Sequence, residues 1–471
     1  MKKIYTLLLV SVFSFQFSTA QTNQLWGLTS AGGGPDSGGI IFRINLDGTG
    51  LDTTIHLFDT LTGFAPMGSL VQAITGVLYG MTSGGGDNSS GVIFSYDPVA
   101  HSYSKVYSFD YNTSGASPQG TLIAAGNSKL YGMTLDGGAN GDGTLFSIDP
   151  TNNNVVHLYD FTDPGGRNPY GSLLEGTDSV LYGLTQQGGL DSVGTIFSFD
   201  LKNNTFSDLH NFTHATGDFP NGSLMHAENG LFYGMTSNGG VNGLGVIFSF
   251  NIADSVYTDI HDFNDTAGRN PFGSLIQASD GLLYGMTSGG GTDYLGVIFN
   301  FDPSVNGYAD LLDFNELNGA TPNGELMQAS NSKLYGLTSF GGADSAGVLF
   351  SFDQSNSNYV DLLDFKFTDG QIPLGDLIEI VPTGIQENMN VENIQLYPNP
   401  AANQIRIRNR GASIERITIL DVLGKEVYSQ QSGTQSPVSE TDINVSGLSE
   451  GVYFVQVQLA KGKWVGKFVK E

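Results

Sequence analysis

The sequence contains no cysteine among its 471 residues, and only 14% of its residues are charged. The lack of cysteine excludes disulfide bridges, so stability has to come from burial and from leaving few sheet edges unpaired. The low charge excludes the composition of a charged disordered tail. Beyond the first twenty residues no apolar run is long enough to cross a bilayer, so we predict no transmembrane segment.

Basic residues are scarce and unevenly placed, since 19 Lys and Arg face 46 Asp and Glu. Residues 21–390 contain 8 basic against 38 acidic side chains, a net charge of −30, whereas residues 391–471 contain 9 against 8. The acidic part excludes nucleic acid, whose phosphates it would repel, and disfavours polyanionic glycans. Neutral glycans, cations and basic partners stay open, and the shift in charge indicates a domain boundary near residues 380–391.

The first twenty residues have the pattern of a secretory signal peptide. Lys2 and Lys3 provide the positive start, and residues 7–17 form an apolar core that is short for a membrane span. Small residues at 18–20 precede an expected cleavage before Gln21. An uncleaved anchor is the alternative.

A short motif, Leu-Tyr-Gly-x-Thr or a close variant, occurs seven times at spacings of 51–53 residues. Its glycines are Gly27, Gly80, Gly132, Gly183, Gly234, Gly285 and Gly336. A fixed period of this length is typical of repeat architectures. In residues 271–314 the pattern predicts four short strands at 273–278, 282–287, 296–301 and 308–314, joined by turns rich in Gly, Asp and Pro.

Four short antiparallel strands in about 50 residues form a propeller blade, and the layout is kelch-like. The repeats begin in a second strand, at Leu25, and end in a first strand, at residues 375–380, so the two ends would complete one blade and close a ring. We predict an all-β fold with a seven-bladed β-propeller over residues 21–380. Six or eight blades, or a β-solenoid, are the alternatives.

Residues 381–390 are predicted to be a linker, and residues 391–471 a second, β-rich domain. Alternation of apolar and polar residues, clear in Ile405-Arg406-Ile407-Arg408, indicates half-buried strands. Seven candidate strands lie at 393–397, 404–408, 414–421, 425–428, 442–445, 451–458 and 463–469. Seven short strands in about 80 residues favour a small immunoglobulin-like β-sandwich.

Four landmarks in this second domain closely resemble the type A C-terminal sorting domain of the type IX secretion system. The residues that carry the resemblance are Tyr397, Pro398, Asn399, Pro400, Gly424, Gly451, Tyr453, Lys467 and Phe468. The resemblance implies a Bacteroidota-like source, recognition by the type IX secretion machinery, and a secreted or cell-surface product, with attachment to surface lipopolysaccharide as one outcome. An accessory binding sandwich is the alternative.

The repeats, over roughly residues 25–380, resemble the tandem repeat of choice-of-anchor proteins of the Gloeobacter and Verrucomicrobia type. Units of the form YGxTxxGGxxxxGx[VIL]F carry this resemblance, with Trp26 in place of the tyrosine and Phe232 in place of the leucine as departures. The resemblance implies a propeller and no established activity.

One candidate binding set has Asp or Asn three residues before the glycine that starts each third strand. Its members are Asp36, Asn88, Asn140, Asp191, Asn242, Asp293 and Asp344. Such a ring could bind cations or sugar hydroxyls, but Asx side chains also close turns onto their own backbone, and that role suits a residue repeated in every blade.

A second candidate set breaks the repeat, because Arg167 and Arg269 occupy equivalent loops two blades apart and the other blades lack arginine there. Two guanidinium groups could bind a carboxylate, whereas a local salt bridge to an acidic loop is the alternative. His56, His210 and His261 lie on fourth strands, where we expect solvated edge residues and no metal site.

The sequence contains no nucleophile elbow, Walker loop, HExxH site or EF-hand loop, and Asn140-Gly141-Asp142-Gly143 resembles a calcium loop only weakly. We therefore expect no cofactor and no metal, and a monomeric binding module for glycan or protein. An exported polysaccharide hydrolase or lyase with a site at the propeller mouth is one alternative, and a structural or adhesive surface protein is another.

Overall fold

The computed structural model describes residues 23–34, 38–176, 179–380, 394–397, 400–409, 414–420, 426–431, 440–449, 451–459 and 462–470. The chain divides into two compact units. The first consists of Thr22–Val381, and the second of Pro382–Glu471 with Met1–Gln21. The predicted signal peptide at 1–20 and the predicted linker at 381–390 lie outside the described residues. The two units are presented separately.

The first unit consists of short β-strands. Numbered in chain order, they are β1 (Gln24–Thr29), β2 (Ile40–Asn45), β3 (Asp52–Leu57), β4 (Val71–Gln72), β5 (Leu78–Thr82), β6 (Val92–Asp97), β7 (Ser102–Ser108), β8 (Ile123–Ala124), β9 (Leu130–Thr134), β10 (Thr144–Asp149), β11 (Asn154–Asp160), β12 (Leu174–Glu175), β13 (Val180–Thr185), β14 (Thr195–Asp200), β15 (Thr205–Asn211), β16 (Met225–His226), β17 (Phe232–Thr236), β18 (Val246–Asn251), β19 (Val256–Asp262), β20 (Ile276–Gln277), β21 (Leu283–Thr287), β22 (Val297–Asp302), β23 (Gly307–Asp313), β24 (Met327–Gln328), β25 (Leu334–Thr338), β26 (Val348–Asp353), β27 (Asn358–Asp364) and β28 (Ile378–Ile380). Two single-turn 3-10 helices, Asp163–Gly165 and Phe367–Asp369, lie in loops.

These strands form seven antiparallel sheets of four strands each. Six sheets use four consecutive strands, and the first has the order β28-β1-β2-β3. In that sheet the last strand of the unit pairs with the first, placing Gln24 opposite Ile380 and Trp26 opposite Ile378. The all-β fold and its propeller-like architecture are confirmed.

The repeat at residues 271–314 matches its predicted strands closely, except at the innermost strand. Strands β21 to β23 lie within one residue of the predicted limits, but β20 is only two residues long, at Ile276–Gln277. Ser274, which precedes β20, forms a hydrogen bond with the neighbouring sheet. Its Oγ accepts from the Ser223 N–H at 2.9 Å. The inner strand is therefore short because its start binds a neighbouring sheet.

The glycine of the repeated motif makes room for an aromatic ring on the next strand. Gly80 pairs with Phe94, and a Cβ atom at Gly80 would lie 2.4 Å from Phe94 Cζ. The tyrosine beside this glycine reaches the next sheet, because Tyr79 Oη donates to Asn153 Oδ1 at 2.7 Å. The glycine of the motif therefore packs against the third strand of its own sheet, and the tyrosine of the motif contacts the neighbouring sheet.

The expectation that the three histidines named above are solvated edge residues is wrong. His56, His210 and His261 each stack on a tyrosine of the following sheet, with ring centroids 3.5, 4.2 and 4.1 Å apart. Each is partly buried, and its Nε2 atom has no hydrogen-bond partner among the residues that the structure describes. Burial lowers the pKa of His56 to about 4, so its ring is neutral at physiological pH.

The described part of the second unit contains seven strands: β29 (Ile394–Tyr397), β30 (Gln404–Asn409), β31 (Ile414–Leu420), β32 (Glu426–Gln431), β33 (Glu440–Asn444), β34 (Gly451–Leu459) and β35 (Gly462–Lys470). They form a three-stranded sheet, β29-β30-β33, and a four-stranded sheet, β32-β31-β34-β35. Residues of both sheets, including Ile405, Ile417, Ile443 and Val455, share one apolar core. The immunoglobulin-like topology stays a prediction.

Candidate functional site

Three members of the predicted Asx set close their own loops. The Nδ2 groups of Asn88, Asn140 and Asn242 donate to backbone carbonyls at the end of the fourth strand of the same sheet, at 3.0, 2.8 and 2.8 Å. Asp191, Asp293 and Asp344 are exposed at the equivalent loop positions, and Asp36 lies outside the described residues. Binding by this set stays a prediction, and the contacts of the asparagines are those of turn residues.

The two arginines form ion pairs inside their own loops. Arg167 Nε lies 3.3 Å from Asp163 Oδ1, and Arg269 Nη1 lies 2.7 Å from Asp265 Oδ1. The Arg269 guanidinium also sits 5.8 Å from the ring centroid of Tyr294. These contacts match the local salt bridge considered above, and neither arginine lines the cavity described next.

A ring of seven glycines surrounds the centre of the first unit. Its members, each three residues before an inner strand, are Gly68, Gly120, Gly171, Gly222, Gly273, Gly324 and Gly375. A Cβ atom added to any of them would lie 2.0–2.4 Å from the carbonyl oxygen of the next glycine, and the contact of Gly375 with Gly68 closes the series. The seven sheets therefore meet backbone against backbone.

The residue after each of these glycines links its sheet to the next by a hydrogen bond. The backbone N–H groups of Ser69, Thr121, Ser172 and Ser223 donate to the hydroxyl of the next sheet's equivalent residue at 2.7–2.9 Å. Before β24 and β28 the equivalent residues are carboxylic acids, Glu325 and Asp376.

Glu325 and Asp376 lie next to each other in this ring of hydroxyls. The Glu325 N–H donates to Asp376 Oδ1 at 2.7 Å, the Asp376 N–H donates to the Ser69 hydroxyl, and the two carboxyl groups also hydrogen-bond each other. Burial, with the neighbouring Asp376 carboxylate, raises the pKa of Glu325 well above its usual range. Burial raises the pKa of Asp376 to about 6. The pair therefore holds a proton under conditions where isolated carboxyls are ionised.

A cavity of about 230 Å³ borders this pair and is lined by six of the seven glycines of the ring, all except Gly324. The residues that precede the glycines differ from sheet to sheet, and they are Met67, Gln119, Tyr170, Asn221, Phe272, Asn323 and Leu374. The rings of Tyr170 and Phe272, two sheets apart, meet edge to face at 5.3 Å. A second cavity of about 340 Å³ also borders Glu325 and Asp376. The carboxyl pair therefore lies between two cavities.

The sequence analysis did not identify this site, because all of its candidate binding residues lie in loops. The signal is present just before the inner strand, where Gly-Ser or Gly-Thr in five repeats becomes Gly324-Glu325 and Gly375-Asp376 at the last two positions. The Ser and Thr residues that recur at this position form the hydrogen-bonded ring, and the two acidic exceptions are its titratable groups.

The sorting-motif residues that the structure describes lie on the edges and core of the second unit. Gly451 starts β34, Lys467 lies on β35, and Tyr397 is exposed at the end of β29. Buried Tyr453 stacks on buried Phe468 at 5.6 Å. Pro400 is exposed, whereas Pro398, Asn399 and Gly424 lie outside the described residues.

Comparison with known families identifies both units. Residues 14–173, 115–278 and 223–384 match the Gloeobacter/Verrucomicrobia repeat. The chain belongs to this repeat family. Residues 395–471 match the secretion system C-terminal sorting domain, so this repeat protein is handled by the type IX secretion machinery and is secreted or placed at the cell surface. Both family resemblances inferred from the sequence are confirmed.

Solved structures of low sequence identity share the fold. The periplasmic gluconolactonase of Pseudomonas aeruginosa is 14% identical, with 76% of this chain and 99% of that chain covered and a TM-score of 0.53. A structure described as a 6-phosphogluconolactonase, from Bacteroides fragilis, is 15% identical, with 77% and 99% covered and a TM-score of 0.52. These likenesses show the fold alone.

The chain also spans 55% of the length of the extracellular domain of a one-component system from B. thetaiotaomicron, with 14% identity, 85% of this chain covered and a TM-score of 0.46. No curated protein sequence matches the chain significantly. Within the described residues, no helix has the length and apolar character required to cross a membrane. No group of three or more His, Cys, Asp or Glu side chains suited to a metal ion occurs there either.

Proposed function

We propose that the exported propeller of this repeat protein is a non-catalytic binding module that takes the end of a glycan chain into its axial cavity. The observation that carries the proposal is the lining of that cavity. Two aromatic rings, of Tyr170 and Phe272, alternate with the amide side chains of Gln119, Asn221 and Asn323. Aromatic faces and convergent polar groups are the combination that holds an orientable, partly apolar ligand such as a sugar ring.

The size of the cavity supports a small ligand or the tip of a larger one. A volume of about 230 Å³ lies below the roughly 300–1,000 Å³ typical of sites for drug-sized ligands. The amides also have capacity to bind, because Asn323 Nδ2 donates to Ser339 Oγ while Asn323 Oδ1 can accept from a ligand. A single sugar residue at the end of a chain fits this description better than an extended protein surface.

A glycan hydrolase is the second candidate, and the Glu325–Asp376 pair is what favours it. Perturbed carboxyls in a cavity are frequent at catalytic sites. The two carboxyls, however, hydrogen-bond each other, whereas glycosidases separate theirs by about 5 Å or more to flank the scissile bond. The binding role therefore ranks first.

Replacing the aromatic lining should abolish glycan binding. For Tyr170→Ala and Phe272→Ala we expect at least a tenfold loss of affinity for the glycans that the purified mature chain binds on an array, because stacking area is removed. Tyr294→Ala is the matched control, since Tyr294 is 61% exposed and lies outside the cavity. Equal binding by all three variants would contradict the axial site, and new reducing ends released from a bound polysaccharide would favour the hydrolase.

Removing the second unit should stop export. A chain ending at residue 390 lacks the whole sorting domain, whose apolar core is its own, and we expect it to accumulate in the periplasm, measured by fractionation and by protease accessibility on intact cells. As the converse test, residues 391–471 fused to a periplasmic reporter should carry the reporter out. Surface display of the truncated chain at the level of the full chain would contradict this role.

A further inference from the structure

We infer that the axial cavity selects a ligand with a protonated amine, namely a glycan that ends in a free amino sugar. This inference rests on the proposed function and specifies the chemistry of its ligand. It starts from the lining of the cavity, which brings the carboxyl groups of Glu325 and Asp376 together with the aromatic rings of Tyr170 and Phe272.

The charges that face the cavity are all of one sign. Among the described lining residues of both cavities, the titratable groups are Glu325, Asp376 and Tyr170, and none is Lys, Arg or His. The polar neighbours of the carboxyl pair are the hydroxyls of Ser69 and Ser274. A ligand cation therefore meets no positive side chain, and a ligand anion meets no counter-charge.

The carboxyl pair is suited to bind one cation, which would neutralise the negative charge of the pair. Two adjacent carboxyls cannot both ionise cheaply, so they retain a proton between them. An ammonium group beside both of them would allow the second carboxyl to ionise, and the displaced proton would leave to the solvent. Binding of an amine should thus release a proton, whereas binding of a neutral sugar should not.

The walls favour the same ligand. The face of an aromatic ring attracts a cation within about 6 Å, and two rings, of Tyr170 and Phe272, border the cavity. Gln119 Nε2 donates to the Ser117 carbonyl, so its Oε1 can accept from a ligand, as can Asn323 Oδ1. Amide acceptors and carboxyl groups in one cavity suit a sugar ring that has hydroxyl donors and one ammonium group.

The surrounding unit strengthens the preference at long range. Residues 21–390 have a net charge of −30 by the counts of 8 basic and 38 acidic residues. A field of this sign concentrates cations at a low-dielectric mouth and repels uronic acids and phosphates. Anionic glycans should therefore bind weakly or not at all.

The test is a calorimetric titration of the mature full-length chain with the methyl glycosides of D-glucosamine, N-acetyl-D-glucosamine and D-glucose at pH 7. We expect the free amine to bind at least tenfold more tightly than the other two sugars. The heat of its binding should change with the ionisation enthalpy of the buffer, as proton release requires. Lowering the pH to 5 should weaken amine binding and leave neutral-sugar binding unchanged.

Two variants separate the cavity from general charge. Glu325→Gln should reduce the preference for the amine to less than threefold while neutral sugars still bind. Glu379→Gln, which removes a carboxylate outside both cavities, should keep the preference. If the N-acetylated or neutral sugar binds as tightly as the amine, the inference is overturned and the glycan proposal stands. If none of the three sugars binds and the glycan array is also negative, the proposed function itself is overturned.

Discussion

Gly222→Ala should destabilise the propeller far more than an alanine at any open glycine. The added Cβ would lie 2.2 Å from the carbonyl oxygen of Gly273, and a backbone atom cannot rotate away as a side chain can. Overpacking of a rigid site costs about 1–3 kcal/mol or more, and we expect the upper end here because the neighbouring contacts form a closed ring. The measurement is the midpoint of thermal or denaturant unfolding, with a fall in melting temperature of about 4 °C for a unit of this size.

Gly126→Ala provides the matched control in the same unit. A Cβ atom there would meet only the Glu175 carboxylate, at an ordinary 3.7 Å, and its effect should lie within about 0.5 kcal/mol. If Gly222→Ala and Gly126→Ala unfold at the same midpoint, the glycine ring is not a close backbone contact and the packing at the axis has to be reconsidered.

The sequence predicted the architecture well because one physical cause repeats in every sheet. The spacing of Gly80 and its equivalents reflects a cross-strand aromatic ring, such as Phe94, that leaves no room for a side chain. The strands of the second unit were also found, since Ile405 and Ile407 alternate with polar residues and are fully buried. Local patterns of this kind can be recognised in a single sequence.

The candidate site was not found, because its members are far apart in the sequence and are joined only by the ring. Glu325 and Asp376 are 51 residues apart, and each looks like an ordinary acid in an acidic repeat. Arg167 and Arg269 stood out by type, but each has an acidic partner four residues away, a local contact that sequence composition does not rank.

The histidines illustrate the same limit on the outer side of the sheets. His56 was placed correctly on its strand, yet its partner Tyr103 belongs to the next repeat. Contacts between repeats depend on the angle between neighbouring sheets, which spacing alone does not specify. Function in such a scaffold is expected where the repeat is broken at an inter-sheet contact, and the carboxyl pair meets that condition.

Removing the carboxyls of the pair should change the pH dependence of stability. In the folded state the pKa of Asp376 is raised from 3.8 to about 6, and that of Glu325 is raised further above 4.5, because burial and mutual proximity disfavour ionisation. A raised pKa contributes stability that is fully present below pH 3.8 and is lost as the pH rises through the folded value. The wild-type protein should therefore lose stability between pH 4 and pH 8 relative to a variant without these carboxyls.

The double variant Glu325→Gln/Asp376→Asn keeps the acceptor oxygens of the ring and removes both titrations. The rise in the pKa of Asp376 from 3.8 to about 6 corresponds to about 3 kcal/mol, and partial contact with solvent in the cavities reduces this to about 1–2 kcal/mol. We expect the two proteins to have similar unfolding free energies at pH 4 and the variant to be more stable by that amount at pH 8. Neutral His56, His210 and His261 have lowered pKa values that give the opposite slope, but they are present in both proteins and cancel in the difference. A difference that stays constant from pH 4 to pH 8 would show that the two carboxyls do not hold a proton in the folded ring.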